Sequence, residues 1–131
     1  MEFSTGSDLA GPGTADPLLG DIRRAGLLPL LVLHYVARDR CYGNQLIERI
    51  AWLTAGMVAV NPNTMYPLLR SLEARGLVDA EWELPGGRGR RFYRITPAGD
   101  DERLHLAGLM APHLDAVAAS VEVIRTELLE R

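Results

Sequence analysis

The sequence predicts a mainly α-helical fold carrying one small β-hairpin. Three observations predict it. Apolar residues recur at helical spacing in segments that begin on capping residues and end on glycine. Two alternating segments flank the glycine-rich loop Pro85-Gly-Gly-Arg-Gly-Arg-Arg91. The last segment repeats apolar residues in a 4-3-4-3-4 pattern. At 131 residues the chain fits one domain with a real core.

Residues 1–16 are rich in Gly, Ser, Thr, Asp and Pro, so a mobile tail is expected there. A helix follows from Asp16 or Asp21 to about Asp39, apolar on most sides from Leu27 to Val36 and therefore buried. Gly26 and Pro29 divide it, which leaves a short helix over 17–24. Arg38 to Tyr42 reads as a connector. The next helix opens at Tyr42-Gly43-Asn44 and runs to about Ala55, with Leu46, Ile47, Ile50, Ala51 and Leu53 as its stripe.

The third helix covers 61–75. Asn61 is a good N-cap, Pro62 takes the first helical position, and Gly76 ends it. Met65, Leu68, Leu69 and Leu72 form its buried face, while Pro67 removes one internal bond. Val78, Ala80, Trp82 and Leu84 then alternate with acids in a half-buried strand, and Tyr93 and Ile95 face inward on the return strand. Thr96-Pro97 caps a last helix in which Met110, Leu114, Val117, Val121, Ile124 and Leu128 make a seam. A lone seam needs a partner helix, and a second copy is the simplest one, so these six residues are the dimerisation candidates. The organisation is a tail (1–16), a helical domain with its hairpin (17–96) and a dimerisation helix (97–131).

Net charge is −3, but its distribution matters more. Residues 1–60 hold 5 Arg and 6 acids, residues 61–96 hold 6 Arg and 4 acids, and residues 97–131 hold 3 Arg and 7 acids. The net-positive section contains the third helix and the hairpin. A helix able to enter a groove, followed by a basic hairpin able to grip backbone, is the pattern of a winged helix-turn-helix that reads duplex DNA. Asn63, Thr64, Tyr66 and Arg70 suit base edges and phosphates on the helix; Arg88, Arg90 and Arg91 suit phosphates on the wing. The plainer readings are a solvated helix face and cross-strand pairing of the arginines with Glu81 and Glu83. Trp52 and Trp82 suit either an apolar ligand pocket or, more simply, the core.

Other classes have less support. The longest apolar run, Leu27 to Leu33, contains Pro29 and falls short of a membrane span. No secretory signal is legible, and Cys41 alone cannot form an internal disulfide, so a cytoplasmic protein is expected. His34, His105, His113 and Cys41 lack metal-ligand spacing, and there is no Ser/His/Asp arrangement, phosphate-cradling loop or pair of carboxylates with a plausible site. Neither an enzyme nor a cofactor is expected. The rival from another class is a winged-helix dimer that works through protein contact and barely touches DNA.

Three stretches carry a family resemblance. They are Tyr42-Gly43 with Leu46-Ile47-Glu48-Arg49-Ile50; Asn61-Pro62-x-Thr64-Met65-Tyr66-Pro67-Leu68-Leu69-Arg70-x-Leu72-Glu73-x-x-Gly76-Leu77-Val78; and Arg91-Phe92-Tyr93-Arg94-Ile95-Thr96-Pro97-x-Gly99. Together they resemble the PadR-like transcriptional regulators over roughly residues 26–100, in the form with a single C-terminal helix. The resemblance implies a homodimeric repressor of an operator, with a C-terminal helix crossing onto the partner and a response to a small-molecule effector. Asn44 stands where an aromatic is common in the family, and Asn63 where glycine is common. The second departure lies on the groove-facing turn and bears on base preference. A subgroup stacks a flat ligand on an aromatic of the last helix; residues 98–131 contain no aromatic, which argues against that sandwich here.

Overall fold

A computed structural model describes residues 20–24 and 26–130. The tail expected over 1–16 lies outside them. The elements in chain order are α1 (Gly20–Arg24), α2 (Leu27–Arg38), β1 (Cys41–Tyr42), α3 (Gly43–Leu53), α4 (Pro62–Ala74), β2 (Val78–Leu84), β3 (Arg88–Ile95) and α5 (Pro97–Leu129). The described residues form two compact units, Pro29–His105 on the one hand and residues up to 28 together with those from 106 on the other. This division falls inside α2 and α5.

In the Pro29–His105 unit, α2 contributes Val32, Leu33 and Val36 to the core, α3 Leu46 and Ile50, and α4 Met65, Leu69 and Leu72. These follow the helical periods expected. Leu53 does not: it is half exposed at the end of α3, where the helix runs out. Thr54 closes that end, donating its hydroxyl to the Ile50 carbonyl at 2.8 Å and accepting from the Val58 amide at 3.0 Å. Asn61 caps α4 by accepting from the Thr64 amide at 3.0 Å, and Pro62 occupies the first turn. Pro67 is accommodated within the helix.

The sheet is antiparallel with order β1-β3-β2. Strand β1 replaces the end of the expected connector; its two residues pair Cys41 with Tyr93 and Tyr42 with Phe92. Two residues carry no periodicity, so their extended state comes from β3 rather than from local sequence. Along β2 the expected half-burial holds only at the root. Val78 is buried and Ala80 half-buried, but Trp82 and Leu84 are each 48 % exposed, because the hairpin runs on past the residues that cover its base.

The wing root is locked to the start of α5. Thr96 donates its hydroxyl to the Gly76 carbonyl at 2.6 Å and accepts from the Gly99 amide at 3.0 Å, while its own amide bonds the Leu77 carbonyl at 3.1 Å. Gly99 packs so closely on Leu77 that a Cβ there would collide with the Leu77 carbonyl oxygen and with Ile95. The Thr-Pro-x-Gly sequence is thus a close-approach joint as well as a helix start.

Helix α5 spans 33 residues, about 50 Å at the usual rise. Of the seam residues, Met110 is already buried within the single chain and Val117 is half-buried; Leu114, Val121, Ile124 and Leu128 are exposed. Although α5 has no long unbroken apolar run, an 18-residue window in it has a mean hydropathy of 1.3 with at most two charged residues, which meets the length and composition of a membrane-crossing helix. Alanine and valine spread around the helix raise this average.

Candidate nucleic-acid interface

The first turn of α4 is open to solvent. Asn63, Thr64 and Arg70 are all exposed, whereas Met65 and Leu69 anchor the opposite face in the core. Tyr66 lies between, half-buried, and its hydroxyl reaches the Asn44 side-chain oxygen at 3.4 Å. Its ring lies directly against Gly43, the first residue of α3: a Cβ on Gly43 would stand 2.6 Å from the ring. Glycine at 43 therefore sets the position of an aromatic on the next helix. Nothing local in the sequence announces that dependence.

The wing arginines do not share one environment. Arg88 sits at the tip, donating from Nε to the Pro85 carbonyl at 3.1 Å. Arg90 is held by Glu83 across the hairpin, through Nε at 3.3 Å and Nη2 at 2.7 Å, while the same carboxylate accepts the Arg90 amide at 3.3 Å. Its guanidinium lies 4.3 Å from the centre of the Tyr42 ring. The side-chain hydrogen bond from Arg90 holds the Glu83 carboxyl below its ordinary value, and the same bond raises Arg90. Arg91 points the other way, to the Glu73 carboxylate of α4 at 2.9 Å, and its Nε is buried without a hydrogen-bond partner among the described residues.

Acids on β2 offset further arginines. Glu81 accepts from Arg94 at 3.0 Å and from Arg40 at 3.4 Å, and Arg40 also lies 4.3 Å over the Phe92 ring. The positive balance of residues 61–96 is thus largely matched within the fold. Of the arginines in that section, Arg70 and Arg88 carry no ion pair among the described residues. Such surface pairs are worth little in stability, typically about 0–1 kcal/mol, so phosphate can compete for their arginines.

Tyr42, Gly43, Asn44 and Arg40 join this face, although the sequence alone does not mark them as candidates. They come to it through β1, whose pairing with β3 brings the start of α3 beside the wing. Trp82 and Trp52 leave the expected core. Trp82 is at the wing, 5.6 Å from the Arg91 guanidinium, and Trp52 is 82 % exposed on α3.

Comparison with known proteins agrees with this architecture. The family model described as transcriptional regulator PadR-like matches residues 32–105. The transcriptional regulator Rv3488 of Mycobacterium tuberculosis is 42 % identical over 74 residues; the match covers 53 % of this chain and 63 % of that protein. The chain therefore spans less than two thirds of the length of that relative. Among solved structures, a PadR family transcriptional regulator from Eggerthella lenta superposes with a TM-score of 0.61 at 31 % identity, covering 78 % of this chain and 87 % of that one. The protein smu.1704 from Streptococcus mutans shares the fold at a TM-score of 0.62 and 24 % identity, covering 75 % and 89 %. The model match extends from the core of α2 through the wing to the first turns of α5, and the chain belongs to the PadR-like family of transcriptional regulators.

Proposed function

We propose that this chain is a sequence-specific DNA-binding repressor that acts as a cytoplasmic homodimer and is released from its operator by a small-molecule effector. The observation that carries the DNA reading is the exposed first turn of α4 beside the wing arginines, in one compact unit. Asn63 and Arg70 would meet base edges in the major groove, with the Thr64 and Tyr66 hydroxyls on phosphate oxygens beside it; Arg88 and Arg90 would hold flanking phosphates. For Arg91, paired with Glu73, we propose a brace between wing and helix rather than a free contact. Family membership supports the repressor and effector roles.

The dimer reading rests on α5. Leu114, Val121, Ile124 and Leu128 form an exposed row at helical spacing, which a second α5 can cover. Asp115 and Glu122 lie in the same stretch, and a hydrocarbon interior would penalise both, so a protein partner suits it better than a bilayer. Sedimentation of the chain should give a dimer. The paired substitution of Val121→Glu with Ile124→Glu should give monomers. A dimer that survives both charges would move the interface away from this row.

DNA binding is tested by titrating the protein against duplex from its own upstream region over a range of salt. The logarithm of affinity should fall linearly with the logarithm of salt concentration as counterions are released. Affinity that is flat with salt would remove the arginine–phosphate account. A second reading has its own observation: most wing arginines are matched by acids, as suits a surface that meets protein. Genome-wide mapping of bound DNA separates the two, since only a DNA reader gives discrete sites.

A further inference from the structure

We infer that the cleft between the wing, the start of α3 and α4 is the seat of one backbone phosphate of the bound duplex, with Arg90, Asn44 and Tyr66 converging on it. This rests on the DNA-binding reading above and assigns the seat within that interface. The cleft has a volume of about 380 Å³ and is lined by residues that include Tyr42, Asn44, Tyr66, Arg90 and Arg91. Two of its lining side chains are guanidinium groups and none is a carboxylate. Each of these guanidinium groups is paired with a carboxylate outside the cleft, Arg90 with Glu83 and Arg91 with Glu73, so an anion here shares or displaces those surface pairs.

Its origin is topological. Strand β1 ends at Tyr42, paired with Phe92, and the chain turns at once into α3. The edge of β3 from Arg91 to Gly89 is left uncovered by β1, and the cleft lies along it. Gly43 has no side chain to fill the space, and the Tyr66 ring lies against it. Glu83 holds Arg90 by one edge of its guanidinium, Nε and Nη2, which leaves the other edge for a ligand. The Glu83 carboxylate does not line the cleft but stands close to it, 2.8 Å from where a Cβ on Gly89 would lie, so Glu83 is a positioning residue that aims the arginine and that a phosphate must compete with.

The occupant follows from what stands on either side. A helix in the major groove and a wing at the neighbouring minor groove have one sugar-phosphate strand running between them. Here the helix face is Asn63 and Thr64, the wing is Arg88, and the cleft lies between α4 and the wing. A phosphodiester of duplex DNA fits both the charge and the position.

The test is a double-mutant cycle in which the second partner is the DNA. Operator duplexes carry a neutral methylphosphonate at one linkage at a time and are bound by the wild-type chain, Arg90→Ala, Asn44→Ala and Tyr66→Phe. In the wild type, one linkage per half-site should lose about tenfold or more in affinity when neutralised, as for a charge-assisted hydrogen bond. Arg90→Ala should show almost no further loss at that linkage, and Asn44→Ala and Tyr66→Phe should show reduced losses at the same one. Because Arg90 and Asn44 are exposed and Tyr66 keeps its ring in Phe, unchanged thermal unfolding should accompany these results. If the penalties multiply fully at every linkage, or Arg90 and Asn44 couple to different phosphates, the single seat is overturned. If the wild type binds no duplex at all, it is the DNA-binding reading that fails first.

Discussion

At the root of the wing, Leu77, Val78 and Tyr93 are buried, and Thr96 and Gly99 lock the strands to α5 through backbone bonds. At the tip, every residue from Glu81 to Arg90 is exposed, and the side chains are held by ion pairs and aromatic stacking. The same two strands therefore run from a region governed by packing to one governed by charge. Packing tolerates little change, because a displaced atom meets another atom at once. Surface pairs exchange partners cheaply. Substitutions at the root should be read in stability, and those at the tip in binding.

The largest effect should come from Gly99→Ala. Its methyl group collides with the Leu77 backbone, which cannot swing away as a side chain would. Denaturant unfolding should show a loss of about 3 kcal/mol or more, the range of severe core overpacking. Near-wild-type stability would mean that the root is looser than its geometry indicates.

Next come the residues proposed to meet DNA. Asn63→Ala should alter preference at one base-pair position by about 1–3 kcal/mol, read by competition among operator variants, while changing unfolding by less than about 0.5 kcal/mol. Arg88→Ala should instead weaken all duplexes alike and reduce the salt slope by about one unit. An exchange of these two behaviours would reverse the roles given to helix and wing tip.

The brace lies between root and tip. Glu73→Gln removes the partner of the partly buried Arg91 and should lower stability by about 1 kcal/mol, the upper end for such a pair. No change in unfolding would assign Arg91 to the tip class.

The smallest effect should be the pH response of Glu83. Its carboxyl is held below the ordinary value of 4.5 by Arg90, so whatever stability the pair contributes is present above that value and is lost as pH falls through the lower folded value. Thermal unfolding of Glu83→Gln should differ from wild type slightly at neutral pH and converge with it in acid. A difference that grows on acidification would give the wrong sign for this linkage.

Much of the fold is legible in the sequence because its signals are local. Asn61-Pro62 and Thr96-Pro97 mark helix starts by capping chemistry, Gly76 marks a stop, and its φ of +75° is the left-handed cap expected. The alternating segments around a glycine-rich loop mark a hairpin. Candidates on α4 are legible for the same reason, since a helical period separates Asn63, Thr64 and Arg70 from Met65 and Leu69. What stays hidden are pairings between distant positions: Cys41–Tyr42 with β3, Gly43 with Tyr66, Arg91 with Glu73.

Periodicity also says which face of a segment is apolar but not whether anything covers it. Trp82 and Leu84 alternate correctly and are nonetheless half exposed, as is Leu53 beyond the last covered turn of α3. The order and type of the main elements, the basic hairpin and the apolar row of α5 follow from residue chemistry along the chain, because caps, turns and periods act over a few residues. The use made of each arginine follows from which acid or ring the folded chain brings within reach. Ion pairing acts through space, over distances that the linear order of residues does not encode.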